Sequence, residues 1–195
     1  MKIRFTTYTI ALVLLVCFPG VSGQRVIPSP ENDDTRQLED PGTLSLQPEL
    51  DETDMAADLD EALTFVKYPT YPQYVEMMQY FADTYPGLCR LDTFGRSVED
   101  RLLLALKISE NVHMNEPEPR FLYTATMHGD ELIGYMLMLQ MIDFLLSAYG
   151  NDVEVTGLLD KLQVWINPLS NPDATYLSGD HTVAGSVRAI GPDLH

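Results

Sequence analysis

Phe121-Leu122-Tyr123-Thr124-Ala125-Thr126-Met127-His128-Gly129-Asp130-Glu131 is the stretch of sequence that decides the fold. Residues 121–127 are apolar and rich in residue types that suit a buried strand. Residues 131–149 form a second apolar run, which has the length of a helix rather than of a strand. We therefore predict a buried strand that ends at a polar turn, from which a long helix begins. The polar stripe of that helix consists of Gln140, Asp143 and Ser147, so we expect the helix to be mostly buried.

Further elements flank this unit on both sides. An entry helix is predicted from Pro72 to Tyr85, because Met and aromatic residues recur there at helical spacing and Pro86-Gly87 ends the pattern. Additional strands are predicted over residues 89–94, 102–108 and 162–166. This order of elements predicts an α/β sandwich with a mixed sheet, in which the first two strands form a hairpin and the strand–helix–strand unit is parallel.

Two side chains of the polar turn have the chemistry of metal ligands. In open α/β sheets, sites form at the carboxyl ends of strands, and His128 lies at such an end. Glu131 lies in the first helical turn, so the imidazole and the carboxylate can converge on one zinc ion, and Gly129 allows the tight turn between them. A polar loop histidine beside a glutamate that favours the helix N-terminus would give the same pattern. The residues alone therefore leave the metal site open.

Three motifs occur in the order and spacing of one enzyme family. Residues 94–101, Phe-Gly-Arg-Ser-Val-Glu-Asp-Arg, resemble a Gly-x-Ser-x-Glu-Gly-Arg pattern, and residues 128–131 match His-x-x-Glu. Asn167-Pro168 with Asn171-Pro172-Asp173 resembles Asn-Pro followed by Asn-Pro-Asp-Gly. Over residues 68–193 the chain thus resembles the zinc metallocarboxypeptidases of the carboxypeptidase A and carboxypeptidase E/D type.

The resemblance implies a fold, a cofactor and a reaction. It implies a zinc carboxypeptidase sandwich that is C-terminally incomplete, a Zn²⁺ cofactor, and removal of C-terminal residues from peptides. His128 and Glu131 would be two of three protein zinc ligands, and Arg188 would contact the carbonyl or the terminal carboxylate of the substrate. The third ligand and the general base are expected beyond residue 195, so we expect the 195-residue chain alone to be nearly inactive.

The sequence departs from the family pattern at several positions. Asp130 stands where Arg or Asn is more usual, and Ala174 replaces the glycine of Asn-Pro-Asp-Gly. Residues 191–195, Gly-Pro-Asp-Leu-His, stand where the family continues as Gly-Val-Asp-Leu-Asn-Arg-Asn-Phe-Pro. Two alternatives therefore stay open: a non-catalytic secreted binding protein on the same scaffold, and a zinc-dependent deacylase of N-acyl amino acids.

The formal charge of −17 is unevenly distributed along the chain. Residues 1–25, 26–62 and 63–195 carry net charges of +3, −11 and −9. No basic patch dominates any part that resembles a folded domain, which argues against nucleic-acid binding. Residues 24–62 are acidic, contain four prolines and lack aromatic residues, so we expect a flexible leader there and a folded domain over residues 63–195.

The N-terminus has the pattern of a signal peptide. Lys2 and Arg4 form a positive start, the apolar run Ile10–Phe18 is too short to span a bilayer, and Val21-Ser22-Gly23 offers small residues for cleavage. We predict a signal peptide over residues 1–23 and a mature protein that is secreted to the periplasm or the extracellular medium. A membrane anchor is the alternative, and after cleavage we expect no membrane span.

Overall fold

The structure is a computed structural model that describes residue 50 and residues 52–183. The chain divides into two units, residues 1–44 and 45–195, and the described residues all belong to the second. The predicted signal peptide, most of the predicted leader and Arg188 lie outside the described residues.

The described residues form a mixed α/β structure around a four-stranded sheet, which confirms the predicted fold class. Ten elements follow one another along this part of the chain. In chain order they are a 3-10 turn (Glu52–Asp54), α1 (Leu59–Ala62), α2 (Tyr71–Thr84), β1 (Cys89–Arg96), β2 (Leu102–Ile108), β3 (Arg120–Thr124), α3 (Leu132–Ala148), α4 (Val153–Leu159), β4 (Gln163–Asn167) and α5 (Pro172–Thr175).

The sheet has the strand order β1-β2-β4-β3. Strands β1 and β2 form an antiparallel hairpin with an irregularity between Thr93 and Gly95, and β2 also pairs antiparallel with β4. Strand β3 pairs parallel with β4, in a register that sets Thr124 opposite Asn167. The predicted hairpin and the predicted parallel unit are therefore both confirmed.

The core lies between one face of this sheet and helices α2 and α3. Alternation along β2 turns Leu104, Leu106 and Ile108 toward this core, as expected for a strand with one face against helices. The predicted stripe of α2 faces the same core, with Tyr74, Met77, Met78 and Phe81 fully buried. The helix begins with a capping box: the Gln73 backbone N–H donates to Thr70 Oγ1 (3.3 Å), and the Thr70 N–H donates to Gln73 Oε1 (2.8 Å).

Helix α3 is less buried than its sequence predicts. Its inner face carries fully buried residues such as Tyr135 and Leu139, but Ile133, Leu137 and Phe144 are 82%, 55% and 52% exposed. The prediction of a mostly buried helix is wrong because only one side of α3 packs on the sheet core, and the outer apolar face has no cover among the described residues.

Ordered structure begins before the predicted domain boundary at residue 63. The Ala56 N–H donates a hydrogen bond to the Tyr68 carbonyl (2.8 Å). Met55, Ala56 and Ala62 are buried. The Asp58 carboxylate accepts from the Glu61 N–H (2.9 Å) and caps α1. The structure thus places residues 52–62 with the folded domain, because some acidic residues cap turns while small apolar residues between them pack.

Helix α4 was not predicted from the sequence. It begins where the Asp152 carboxylate accepts from the backbone N–H groups of Glu154 (2.8 Å) and Val155 (3.0 Å).

Among the described residues no single helix is long and apolar enough to cross a membrane. Helices α3 and α4 meet the length and composition of a span only as a pair, and they are bent by 99° at their junction.

The buried face of α2 gives a direct test of this core. We expect Phe81→Ala to lower the free energy of unfolding by about 3–5 kcal/mol, because the fully buried ring would leave a cavity. The neighbouring Tyr80→Ala is the matched control and should cost clearly less than Phe81→Ala, since Tyr80 is 41% exposed whereas Phe81 is fully buried. Urea denaturation followed by circular dichroism measures both values, and equal losses would contradict the assignment of this face to the core.

Candidate functional site

The candidate site lies on the turn that follows β3. The strand ends at Thr124, three residues earlier than predicted, although the Ala125 N–H still donates to the Asn167 carbonyl (3.0 Å). Thr126 then adopts a left-handed conformation (φ 57°), which is a strained choice for a β-branched residue. Its hydroxyl is buried and donates to the Pro168 carbonyl (3.0 Å), so the side chain stabilises the sharp change of direction before His128.

The turn brings the two predicted ligand residues together. His128 Nδ1 lies 3.0 Å from Glu131 Oε1, and the two side chains are 51% and 55% exposed. Glu131 occupies the N-cap position of α3, but its side chain makes no capping hydrogen bond to the helix. The carboxylate therefore interacts with the imidazole rather than capping the helix end.

The pair is held by charge as well as by geometry. The hydrogen bond that His128 Nδ1 donates to the Glu131 carboxylate raises the pKa of His128, and the same hydrogen bond lowers the pKa of Glu131. Both shifts favour an imidazolium–carboxylate pair when no cation is bound. Because a metal ligand must be deprotonated, protons compete with a metal ion for His128 at acidic pH.

The donor types and their spacing fit one metal ion. An imidazole nitrogen and a carboxylate oxygen that bind the same zinc ion lie roughly 3–3.5 Å apart, given the usual zinc–ligand distances. The observed separation of 3.0 Å is within reach of that arrangement. In the part of the chain that the structure describes, no group of three or more His, Cys, Asp or Glu side chains could hold a metal, so this turn supplies two donors. His113 lies in another loop, where its Nε2 contacts the Pro86 carbonyl (2.8 Å).

The third sequence motif supports the turn from below through residues 171–174, and we call this segment the seat. The Asn171 N–H donates to the Thr126 carbonyl and its side-chain amide to the Met127 carbonyl, both at 3.1 Å. A Cβ added to Gly129 would lie 2.3 Å from the Ala174 carbonyl carbon and 2.5 Å from its oxygen. Gly129 was predicted for a tight turn, but its φ is not positive, and the structure gives a different reason for glycine: two backbone segments approach here too closely for any side chain.

Sequence reasoning missed an open basin on the sheet face opposite the core. Its volume is about 630 Å³. Side chains from all four strands and from the segment after β4 line it: Asp92, Thr93, Phe94, Ala105, Leu122, Thr124, Trp165, Asn167 and Ser170. The prediction of a buried strand over residues 121–127 concealed it, because β3 lies at the edge of the sheet with Phe121 and Leu122 48% and 62% exposed.

Comparisons with known proteins identify a family for the sequence. A family model described as zinc carboxypeptidase matches residues 74–187. Human carboxypeptidase D is 39% identical over 122 residues, which are 62% of this chain and 9% of that protein. Mouse carboxypeptidase M is 39% identical over 93 residues, which are 47% of this chain and 21% of that protein. The chain therefore spans only a small part of the length of these relatives.

Solved structures share the fold. The carboxypeptidase A of Helicoverpa armigera superposes with a TM-score of 0.54 and 24% identity, covering 67% of this chain and 32% of that one. Thrombin-activatable fibrinolysis inhibitor superposes with a TM-score of 0.52 and 21% identity, covering 56% of this chain and 27% of that one. At these identities the likeness concerns the fold alone.

The close approach at Gly129 can be tested by adding a single methyl group. We expect Gly129→Ala to lower the free energy of unfolding by about 1–3 kcal/mol, because the new Cβ meets backbone atoms that no rotamer change can move. The control is Gly157→Ala in α4, where a Cβ would meet nothing within 4 Å. We expect that change to be stabilising by about 0.4–1 kcal/mol. Denaturant titration measures both, and a neutral Gly129→Ala would show that the two segments are further apart than described.

Proposed function

The chain belongs to the zinc carboxypeptidase family, and we propose that it carries the zinc-binding turn of a secreted metallocarboxypeptidase that removes C-terminal residues from peptides. One observation carries this proposal. His128 Nδ1 and Glu131 Oε1 lie 3.0 Å apart on an exposed turn at the carboxyl end of a parallel strand, within the residues that match the family. This is the edge of an α/β sheet at which sites form.

We propose His128 and Glu131 as two of the protein ligands of zinc. When bound, zinc would supply the Lewis acidity that activates water and polarises a scissile carbonyl. Both side chains are about half exposed, so an ion and a peptide can reach them from solvent. The seat at Ala174 and the buried Thr126 hydroxyl would keep the turn in place while a substrate binds.

The remaining parts of the proposed site lie outside the described residues. We propose that these parts include a third ligand and a general base, since residues 52–183 offer no third donor. Arg188 is proposed to contact the carbonyl or the terminal carboxylate of the peptide. A guanidinium suits that role because its planar fork can bind both oxygens of a carboxylate at once.

Export is a separate part of the proposal. The positive start, the short apolar run and Val21-Ser22-Gly23 support a cleaved signal peptide. Peptide C-termini outside the cytoplasm would then be the substrates. Nucleic acid is not among the proposed partners, because the chain carries a formal charge of −17.

Zinc affinity tests the ligand assignment. We expect His128→Ala and Glu131→Gln each to weaken zinc binding by the purified chain at least about tenfold, because each removes one of few donors. Affinity is measured by competition with a chromophoric chelator. His113→Ala is the matched control, since it removes a histidine from a different loop, and it should leave the affinity unchanged. Zinc binding that survives His128→Ala intact would contradict the assignment.

Substrate choice tests the reaction. We expect the whole protein to release the C-terminal residue of an N-blocked peptide but not that of the same peptide with a C-terminal amide. Removal of zinc by 1,10-phenanthroline should abolish release, and added zinc should restore it. Preferred hydrolysis of N-acetyl amino acids would favour a deacylase instead. Peptide binding without hydrolysis and without zinc would favour a binding protein.

Export is tested by the mature N-terminus. When the gene is expressed with its own start in an exporting host, we expect the protein in the exported fraction to begin at Gln24. The reason is that the small residues 21–23 precede that position and an apolar run precedes them. N-terminal sequencing measures this, and Lys2→Glu with Arg4→Glu should reduce export. A retained protein that still begins at Met1 would contradict the signal peptide.

A further inference from the structure

Asp173, in the first turn of α5, is a buried carboxylate held by one distant segment. Its side chain is 8% exposed, and it accepts hydrogen bonds from Ser97 Oγ (2.6 Å), the Glu99 N–H (3.1 Å) and Arg101 Nη1 (3.0 Å). All three donors belong to the connection between β1 and β2. A carboxylate can be buried at tolerable cost only when such donors satisfy its oxygens, and here both oxygens are bonded.

Arg101 is as tightly held as the carboxylate that it contacts. Its side chain is 10% exposed, and its guanidinium stands 5.7 Å from the centre of the Tyr71 ring. Burial lowers the pKa of Arg101, but hydrogen bonds with Asp180 and Asp173 more than offset this, so the pKa is raised overall. The remaining acceptors of the guanidinium are Asp180 Oδ1 (2.9 Å), Glu99 Oε2 (2.6 Å) and the Tyr176 carbonyl (3.2 Å).

The fixed carboxylate controls the position of the residue beside it. Ala174 follows Asp173 in α5, and its carbonyl group is the surface against which the Gly129 backbone rests. A shift of α5 would therefore either open a gap under Gly129 or push that residue away. His128 precedes Gly129 directly, and Glu131 closes the turn through its N–H, which donates to the His128 carbonyl (3.2 Å).

We propose that Asp173 is a positioning residue for the ligand pair His128 and Glu131. In this view the β1–β2 connection fixes Asp173, Asp173 fixes α5, and α5 supports the turn at Gly129. The assignment rests on the proposed function only in calling the pair zinc ligands, because the mechanical link itself involves no metal. Asp180 also bonds Arg101, but it lies beyond α5, so the proposal gives it no comparable effect on the turn.

The test compares Asp173→Asn with Asp180→Asn in the 195-residue chain. Each variant removes one carboxylate partner of Arg101 at nearly constant side-chain volume, but only the first disturbs α5. In Asp173→Asn we expect hydrogen exchange at the Glu131 and Asn171 amides to accelerate about tenfold, with shifted amide resonances for residues 128–131. Zinc affinity should fall about tenfold, as for other residues that orient metal ligands. In Asp180→Asn the exchange rates of these amides and the zinc affinity should stay within about twofold of the wild-type values. The amide resonances of residues 128–131 should keep their wild-type positions.

The outcomes separate this inference from the proposed function. Unchanged turn amides in folded Asp173→Asn overturn the inference, whether or not the wild-type chain binds zinc. Where zinc binds at His128, an unchanged zinc affinity in that variant overturns it as well. A wild-type chain that binds no zinc defeats the proposed function, while the amide measurements still decide the link. If Asp173→Asn does not fold, Ser97→Ala removes one neutral donor from the same carboxylate, and the inference requires the same turn amides to change.

Discussion

The parallel pairing of β3 with β4 is the constraint on which the rest of the site depends. Neighbouring parallel strands end at the same edge of a sheet, and Thr124 pairs with Asn167 at the ends of β3 and β4. The segments that follow these two residues therefore lie side by side at that edge. The pairing continues beyond the strands, because the Ser170 N–H donates back to the Ala125 carbonyl (3.1 Å). The turn that carries His128 and Glu131 and its seat are consequently two halves of one unit, although α3, α4 and β4 lie between them in the sequence.

Buried aromatic side chains tie this edge to the helices. Tyr74 of α2 meets Tyr135 of α3 edge-on, with ring centroids 5.5 Å apart. The Tyr135 hydroxyl lies 3.2 Å from that of Tyr176, which follows α5 and donates to the Pro69 carbonyl (2.7 Å). Burial raises the pKa of both Tyr135 and Tyr176, so both stay neutral. The seat under the turn is therefore connected to the main core and not only to the sheet edge.

Local patterns in the sequence predicted much of the fold, because they depend on near neighbours. Strand β2, helix α2 and the convergence of His128 with Glu131 follow from periodicity and from a spacing of three residues. The short helices α4 and α5 were not predicted, since each depends on one capping side chain and a few tertiary contacts.

Other features could not be predicted because they are set by partners far away in the sequence. The exposed outer face of α3 depends on what lies beside it, and an apolar sequence alone does not specify that. Asp173 stood in a recognised motif, but nothing in the sequence indicated that Ser97 and Arg101 would bind it. The same holds for Gly129, whose role is fixed by the backbone of Ala174.

The long sequence separation of the contacts around Asp173 has a consequence for synthesis on the ribosome. Ser97 meets Asp173 across 76 residues, and Asn171 meets Met127 across 44. During vectorial translation His128 and Glu131 leave the exit tunnel well before the residues that support them. A nascent chain would thus present these two side chains to solvent in a pliable loop, and the turn would reach its final shape only after residue 174 has emerged. The order of chain growth would then set when this turn becomes rigid.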